Sequence, residues 1–218
     1  MKKILFISSL ILITILTLFK VDASKIEFPL IGKTIILDAG HGGKDFGASF
    51  KSIKESDINL VFTLKLKESL ESKGAIVLLT RKDQNDLSNP KALYRKKSDF
   101  DNRIKIINNS HADMYLSIHQ NIYPNKKYYG PAVFYFPKIK DNEQLAKLIQ
   151  NELNLYTQTN RQSKIINGTY LYDKLNIRGC LIECGFISND AERSKLIDEK
   201  YQNEYVKVLT NAIIKYFS

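Results

Sequence analysis

The stretch Thr34-Ile35-Ile36-Leu37-Asp38-Ala39-Gly40-His41-Gly42-Gly43 decides the reading of the whole chain. A short run of β-favouring apolar residues passes directly into a polar, glycine-rich turn, the pattern of a buried strand ending at an open sheet edge. Upstream, Glu27 to Gly32 is a short lead-in. Downstream, Ser56 to Lys73 reads as a helix closed by Gly74, with Leu60, Val61 and Leu64 apolar and Lys65, Lys67 and Glu68 set for solvent. Ala75 to Leu79 reads as a second buried strand, and residues 82–92, with Pro90, as a loop. Phe100 to Asn109 belongs to a second helix, and Met114 to Ile118 is a third strand.

The alternation continues to the end of the chain. Ala132 to Phe136 and Thr169 to Tyr172 are expected strands, with a helix from Asp141 to Thr157 between them. Leu181 to Glu183 is the last strand, Asn189-Asp190 caps a short helix, and Tyr201 to Phe217 is a closing amphipathic helix. Strands alternating with helices define an α/β protein: a single domain with a mostly parallel sheet of about six strands and helices on both faces. No repeat, low-complexity tract or linker divides it.

The composition agrees. The chain has 218 residues, 44% hydrophobic and 26% charged, which suits one globular core and not a disordered polymer. Lys2 and Lys3 precede an uncharged run from Ile4 to Phe19, with Val21-Asp22-Ala23 at the usual cleavage positions. Residues 1–23 therefore read as an export signal, either a cleaved signal peptide or a retained membrane anchor, and 24–218 as the folded domain. Lys20 and Asp22 crowd the cut, which leaves both forms open, and the lack of a nearby cysteine argues against a lipid anchor. Because Lys2, Lys3 and Lys20 leave with Asp22, cleavage lowers the formal charge from +10 to +8. A basic exported protein is drawn to anionic polymers such as bacterial wall. The lysines are dispersed, with no basic helix or ribonucleoprotein motif, so nucleic acid is not expected.

Cys180 and Cys184 are the two cysteines, both in the strand-like Cys180-Leu181-Ile182-Glu183-Cys184. Four residues of extended chain span roughly 13 Å, beyond the reach of about 7 Å that a disulfide allows. Alternation puts Cys180, Ile182 and Cys184 on one face and Leu181 and Glu183 on the other.

In open α/β sheets, functional groups gather at the carboxyl ends of strands. His41 follows the first strand, His119 closes Tyr115-Leu116-Ser117-Ile118, Glu183 closes Leu181-Ile182, and Glu55 starts the helix after the His41 turn. Two imidazoles and a carboxylate suit a catalytic zinc with water in a fourth position, and a second carboxylate can then move the proton. Taken singly, a histidine is usually a hydrogen-bonded polar group and a glutamate at a helix start a dipole partner. Glu183 differs, because a carboxylate in an apolar strand needs a partner or a function. His111, in a polar turn, reads as surface. Asp45 stands where a dinucleotide fingerprint needs glycine and a phosphate-binding loop needs Ser or Thr, which excludes both.

Asp38-Ala39-Gly40-His41-Gly42-Gly43-Lys44-Asp45-Phe46-Gly47-Ala48 resembles the opening motif of the zinc-dependent N-acetylmuramoyl-L-alanine amidases. Glu55-Ser56-Asp57-Ile58-Asn59-Leu60, Ser117-Ile118-His119-Gln120-Asn121 and Leu181-Ile182-Glu183-Cys184-Gly185-Phe186-Ile187-Ser188-Asn189 resemble that family's later motifs, in order. Thr80-Arg81 and Arg103 also fall where the family has them. The resemblance runs from about Gly32 to the C-terminus. It implies one Zn2+ per chain on His41, Glu55 and His119, with Glu183 as the catalytic carboxylate. The hydrophobic N-terminus, the bare catalytic domain and Asn142 to Leu153 resemble the germination-specific spore-cortex subgroup. That implies removal of peptide from muramic acid in peptidoglycan, so that a deacetylase helps form muramic-δ-lactam, in the cell wall or forespore intermembrane space. It also implies a lipoprotein activator partner, consistent with the absence of wall-binding repeats. Arg178, Cys184 and Gln120 depart from the family pattern, and Arg178 and Gln120 are expected to bear on substrate fit. Two rival readings are a zinc peptidase cutting within the stem peptide and a non-catalytic wall-binding protein.

Overall fold

The computed structural model describes residues 27–218; the expected signal or anchor, residues 1–23, lies outside them. Among the described residues, eight strands and five helices follow in the order β1 (Thr34–Ala39), β2 (Ser49–Phe50), β3 (Ile53–Lys54), α1 (Glu55–Glu71), β4 (Ile76–Leu79), α2 (Arg95–Asn108), β5 (Met114–Asn121), β6 (Ala132–Tyr135), α3 (Asp141–Thr157), β7 (Lys164–Ile165), β8 (Gly179–Phe186), α4 (Asp190–Leu196) and α5 (Glu199–Phe217). Six strands form the main sheet in the order β4-β1-β5-β8-β6-β7, while β2 and β3 make a small hairpin. All neighbours in the sheet are parallel except β6 and β8. No helix among the described residues is long and apolar enough to cross a membrane.

Period-two alternation divides the sheet into two unequal faces. Ile35 and Leu37 of β1, Met114, Leu116 and Ile118 of β5, and Cys180, Ile182 and Cys184 of β8 join the larger core. Helices α1, α3 and α5 cover it, each through an apolar row at helical spacing: Ile58, Phe62, Leu66 and Leu70; Leu145, Ile149 and Leu153; Tyr205, Leu209 and Ile213. On the opposite face Ile36, Tyr115 and Leu181 meet Ile107 of α2, with Phe100 and Ile104 partly buried beside them. Here α2 stands alone as a full helix. Towards the strand ends this second face turns polar, through Asp38, Ser117 and Glu183.

Two expected elements differ. Residues 169–172 do not form a strand; Tyr172–Lys174 is a single 3-10 turn, and the strand of this region is the short β7. Leu171 and Tyr172 are adjacent yet both buried in the smaller core, which a strand with alternating faces does not permit. The turn is closed by Asp173 N–H to Thr169 O and Lys174 N–H to Leu171 O. The second strand, expected to be buried, is the edge strand β4, with Ile76 59% exposed because α2 does not reach over it.

Both cysteines are free and buried. Burial pushes the Cys184 thiol up to about 12 and raises that of Cys180 further, so neither forms thiolate near neutrality. Native protein should therefore resist an aromatic disulfide reagent, and denatured protein should release two equivalents. Rapid labelling of either thiol in the native state would contradict this register.

Candidate functional site

The site begins with the turn after β1. Gly40 N–H still donates to Ile118 O, so the chain leaves the sheet only after Gly40. A Cβ there would lie 2.2 Å from the His119 ring, so only glycine lets the two segments approach. His41 then adopts φ 62°, a left-handed conformation that a non-glycine residue takes only when its surroundings hold it.

Two buried arginines provide that hold. Arg103 of α2 donates from Nε to Asp99 and from its terminal nitrogens to Asp38 Oδ1, Ala39 O and His41 O. Arg81, just after β4, donates to Ala39 O, Gly40 O and Ser56 O. Asp38 also accepts from Thr80 and Ser117. Burial acts to raise the Asp38 carboxyl, but the Arg103 charge and the Thr80 hydrogen bond outweigh it and leave it below the usual carboxylate range.

The polar residues singled out in the sequence converge. His41, Glu55 and His119 present ligand atoms that all lie within 4.8 Å of one another. Glu55 Oε1 lies 2.9 Å from His119 Nδ1 and 3.3 Å from His41 Nε2, and accepts from Gln120 N–H at 3.1 Å. Its second oxygen accepts from Ala48 N–H at 2.7 Å. Glu55 is the first residue of α1, where the helix dipole favours an anion. Burial opposes ionisation of Glu55, yet contacts with His119 and His41 hold its carboxyl well below the ordinary range. Burial lowers His41, but Asp45 (Nδ1 to Oδ1, 3.0 Å) and Glu55 overcome this and raise it to about 9.

Glu183 pairs in register with His119 across β5 and β8. It points away from the two thiols and lines a cavity of about 340 Å³ together with His41, His119 and Arg103. Its Oε2 is buried with no hydrogen-bond partner among the described residues. Burial, supported by the Glu55 charge and opposed by both histidines, pushes its carboxyl up to about 7. A carboxyl balanced near neutrality suits proton transfer.

A family profile described as N-acetylmuramoyl-L-alanine amidase matches residues 35–215. The chain belongs to the N-acetylmuramoyl-L-alanine amidase family. It is 38% identical to the germination-specific N-acetylmuramoyl-L-alanine amidase of Bacillus subtilis (strain 168), over 100% of this chain and 96% of that one. It is similar to the CwlD amidase from Clostridioides difficile, solved in complex with the GerS lipoprotein: 44% identity and TM-score 0.81, covering 85% of this chain and 98% of that one. Another N-acetylmuramoyl-L-alanine amidase, from Clostridium difficile 630, gives 29% identity and TM-score 0.74 over 84% of this chain and 96% of that one.

Other residues of the amidase fall where their sequence gave less notice. His111 is exposed, as expected. Arg178 does not reach the site, because it precedes β8 at the opposite end of the sheet and there contacts Tyr216 and Asp141. Gln120 is buried and reaches Asn59, so its side chain supports the surroundings of Glu55 and does not line the cavity. Asp38 and Asp99 were not singled out as site residues. The i, i+4 pair Asp99–Arg103 was the available signal, but this spacing is common on solvated helix faces.

Removing the Arg103 charge leaves Asp38 and Asp99 buried without their cation, a loss of about 3–5 kcal/mol. Arg103→Met should lower the urea midpoint at pH 7 accordingly, and Arg103→Lys should recover only part, because an ammonium cannot fork between these acceptors. The stability that Asp38 contributes is complete above its unfolded pKa of about 3.9 and is lost as pH falls through its lower folded value. The gap between wild type and Arg103→Met should therefore narrow in acid. An unchanged midpoint at pH 7 would refute the role of this network.

Proposed function

We propose that the chain holds one zinc ion on His41, Glu55 and His119 and hydrolyses the amide between N-acetylmuramic acid and L-alanine in peptidoglycan, with Glu183 carrying the proton. The observation that carries this is the pairing of a three-donor cluster with a buried, unpartnered carboxylate oxygen at one sheet edge. Two imidazoles and a carboxylate within 4.8 Å are a donor set that fits zinc. When bound, the ion supplies a Lewis acid that polarises the scissile carbonyl and makes water a stronger acid.

The chain's own residues account for the remaining tasks. Asp45 orients His41 through Nδ1, and Ala48 and Gln120 amides fix Glu55. Glu183 accepts a proton from water as the water oxygen bonds to the lactyl carbonyl carbon. It then delivers that proton to the alanine nitrogen as the C–N bond breaks, leaving a lactyl carboxyl and a free amine.

Similarity to the germination-specific relative supports a role in spore cortex, where peptide removal precedes muramic-δ-lactam formation. Similarity to an amidase solved with a lipoprotein supports a lipoprotein activator for this chain. Substrate outside the cytoplasm agrees with residues 1–23 acting as an export signal or anchor.

Mass spectrometry of digested peptidoglycan tests the reaction: free muramic acid with intact peptide is expected, and shortened peptide would identify a peptidase instead. His41→Ala and His119→Ala should each lose bound zinc in metal analysis, and full zinc content in either would remove that residue from the ligand set. Glu183→Gln keeps the side-chain size but not the basic oxygen. It should remain folded and zinc-loaded, with turnover about 10²–10⁴-fold lower. Near wild-type turnover in a loaded Gln variant would exclude Glu183 from the reaction, whereas instability without an intrinsic rate defect would make it structural.

A further inference from the structure

Two buried side-chain amides, Asn59 of α1 and Gln120 of β5, stand behind the His41–Glu55–His119 cluster, and neither lines the cavity. Asn59 follows Glu55 by one helical turn. Its Nδ2 donates to Glu55 Oε1 at 3.3 Å and to Gly40 O at 3.1 Å. Its Oδ1 accepts from Gln120 Nε2 at 3.3 Å, and Gln120 N–H donates to Glu55 Oε1 at 3.1 Å. Glu55, Asn59 and Gln120 thus close a ring of three hydrogen bonds that begins and ends at one carboxylate oxygen. That same oxygen faces His119 Nδ1 at 2.9 Å and His41 Nε2 at 3.3 Å.

The neighbours fix the direction of both amides. A reversed Asn59 would set Oδ1 against two acceptors, Gly40 O and Glu55 Oε1, and a reversed Gln120 would set Oε1 against Asn59 Oδ1. Asn59 therefore has both donors and its acceptor engaged. It also joins the two segments that carry candidate ligands, because Gly40 directly precedes His41.

Packing alone does not account for Gln120. Its Oε1 is buried with no hydrogen-bond partner among the described residues, so the side chain gives up hydration that it does not recover. An apolar side chain would avoid that loss, as Leu116 and Ile118 do on the same strand face. What the amide supplies is a donor to Asn59. Without it Asn59 Oδ1 loses its partner, and the Asn59 amide is no longer held in the direction that grips Glu55 and Gly40.

Resting on the zinc reading, we propose that Asn59 and Gln120 are positioning residues for the metal: their side chains hold the Glu55 carboxylate in place against the turn that carries His41, and so set the affinity of the site for zinc. Neither side chain touches substrate; both act through Glu55. The ring closes the buried side of the cluster, while Asp45 and Ala48 hold its other side.

Zinc dissociation constants of the full-length chain in mild detergent, read by competition with a chromophoric chelator, test this. Gln120→Met keeps the length of the side chain without its amide, and Asn59→Leu removes the centre of the ring. Each should bind zinc about 10- to 100-fold more weakly than wild type, the usual range for groups that orient a metal ligand. Thr63→Val is the control: Thr63 is buried further along α1, and its Oγ1 has no hydrogen-bond partner among the described residues. Its zinc affinity should match wild type. Urea midpoints of the metal-free proteins separate positioning from general support, since a purely structural ring would lower the midpoint and leave zinc affinity unchanged. Wild-type zinc affinity in a folded Gln120→Met variant, or an equal loss in Thr63→Val, would overturn the assignment. If Gln120→Met does not fold, Gln120→Ala, which adds no atoms to the core, carries the same comparison. Failure of the zinc reading shows separately, as a wild-type chain that takes no zinc from the chelator.

Discussion

The ion pair between Arg103 and Asp38 is the constraint on which the site depends. Both side chains are removed from solvent at the point where β1 ends and the chain must turn. A buried guanidinium is costly unless its donors are used, and here they reach two carboxylates and the carbonyls of Ala39 and His41. Those carbonyls belong to the segment that carries His41 in its left-handed conformation. The charge that must be satisfied and the backbone that must be held are thus stabilised by the same bonds, and α2 is tied to β1 as a result.

The second determinant is a division of labour along the sheet. On the larger core face, β1 and β8 remain apolar over their whole length and β5 as far as Ile118, with buried Gln120 beyond it, and three helices cover them. On the other face, the same strands run from Ile36, Tyr115 and Leu181 to Asp38, Ser117 and Glu183. With α2 alone covering that face, the polar ends open into a cavity instead of being sealed. The apolar start of each strand holds the register, and the register places Glu183 opposite His119. Glu183 keeps a raised carboxyl because it shares the low-dielectric face but receives none of the hydrogen bonds given to Glu55. Two carboxylates on the same sheet edge therefore acquire opposite character: Glu55 is anchored as an anion by amides and imidazoles, while Glu183 is poised near neutrality.

The smaller face also gives the site its asymmetry. The segment around Thr169 and Tyr170 packs as a turn because Leu171 and Tyr172 both enter the smaller core, and this packing brings Tyr170 to the cavity wall. Across β8 the hairpin β2–β3 and helix α4 close the other flank, through Phe50 beneath Arg193 and Glu192 accepting from Phe186 and Gly130. One flank is thus aromatic, and the other is a tightly hydrogen-bonded support for the strand that carries Glu183.

Much of this was legible in the sequence. The alternation of apolar runs and amphipathic helices specified the α/β class, and His41, Glu55, His119 and Glu183 each stood where a strand ends or a helix begins. Parity alone separated Glu183 from Cys180 and Cys184, because side chains on a strand alternate between faces. What the sequence did not show was which strand lies at the edge, since Ile76-Val77-Leu78-Leu79 is as apolar as a central strand and only the sheet order exposes it. Nor did it show that Thr169-Tyr170-Leu171-Tyr172 is a turn, since its β-favouring residues yield to two consecutive side chains entering one core. The pairing of Arg103 with Asp38 joins positions 65 apart in the chain, and no local pattern encodes it. Periodicity and chain ends are local properties that sequence carries directly, whereas edge position, burial of charge and the walls of a cavity depend on which segments meet, and only the tertiary structure decides that.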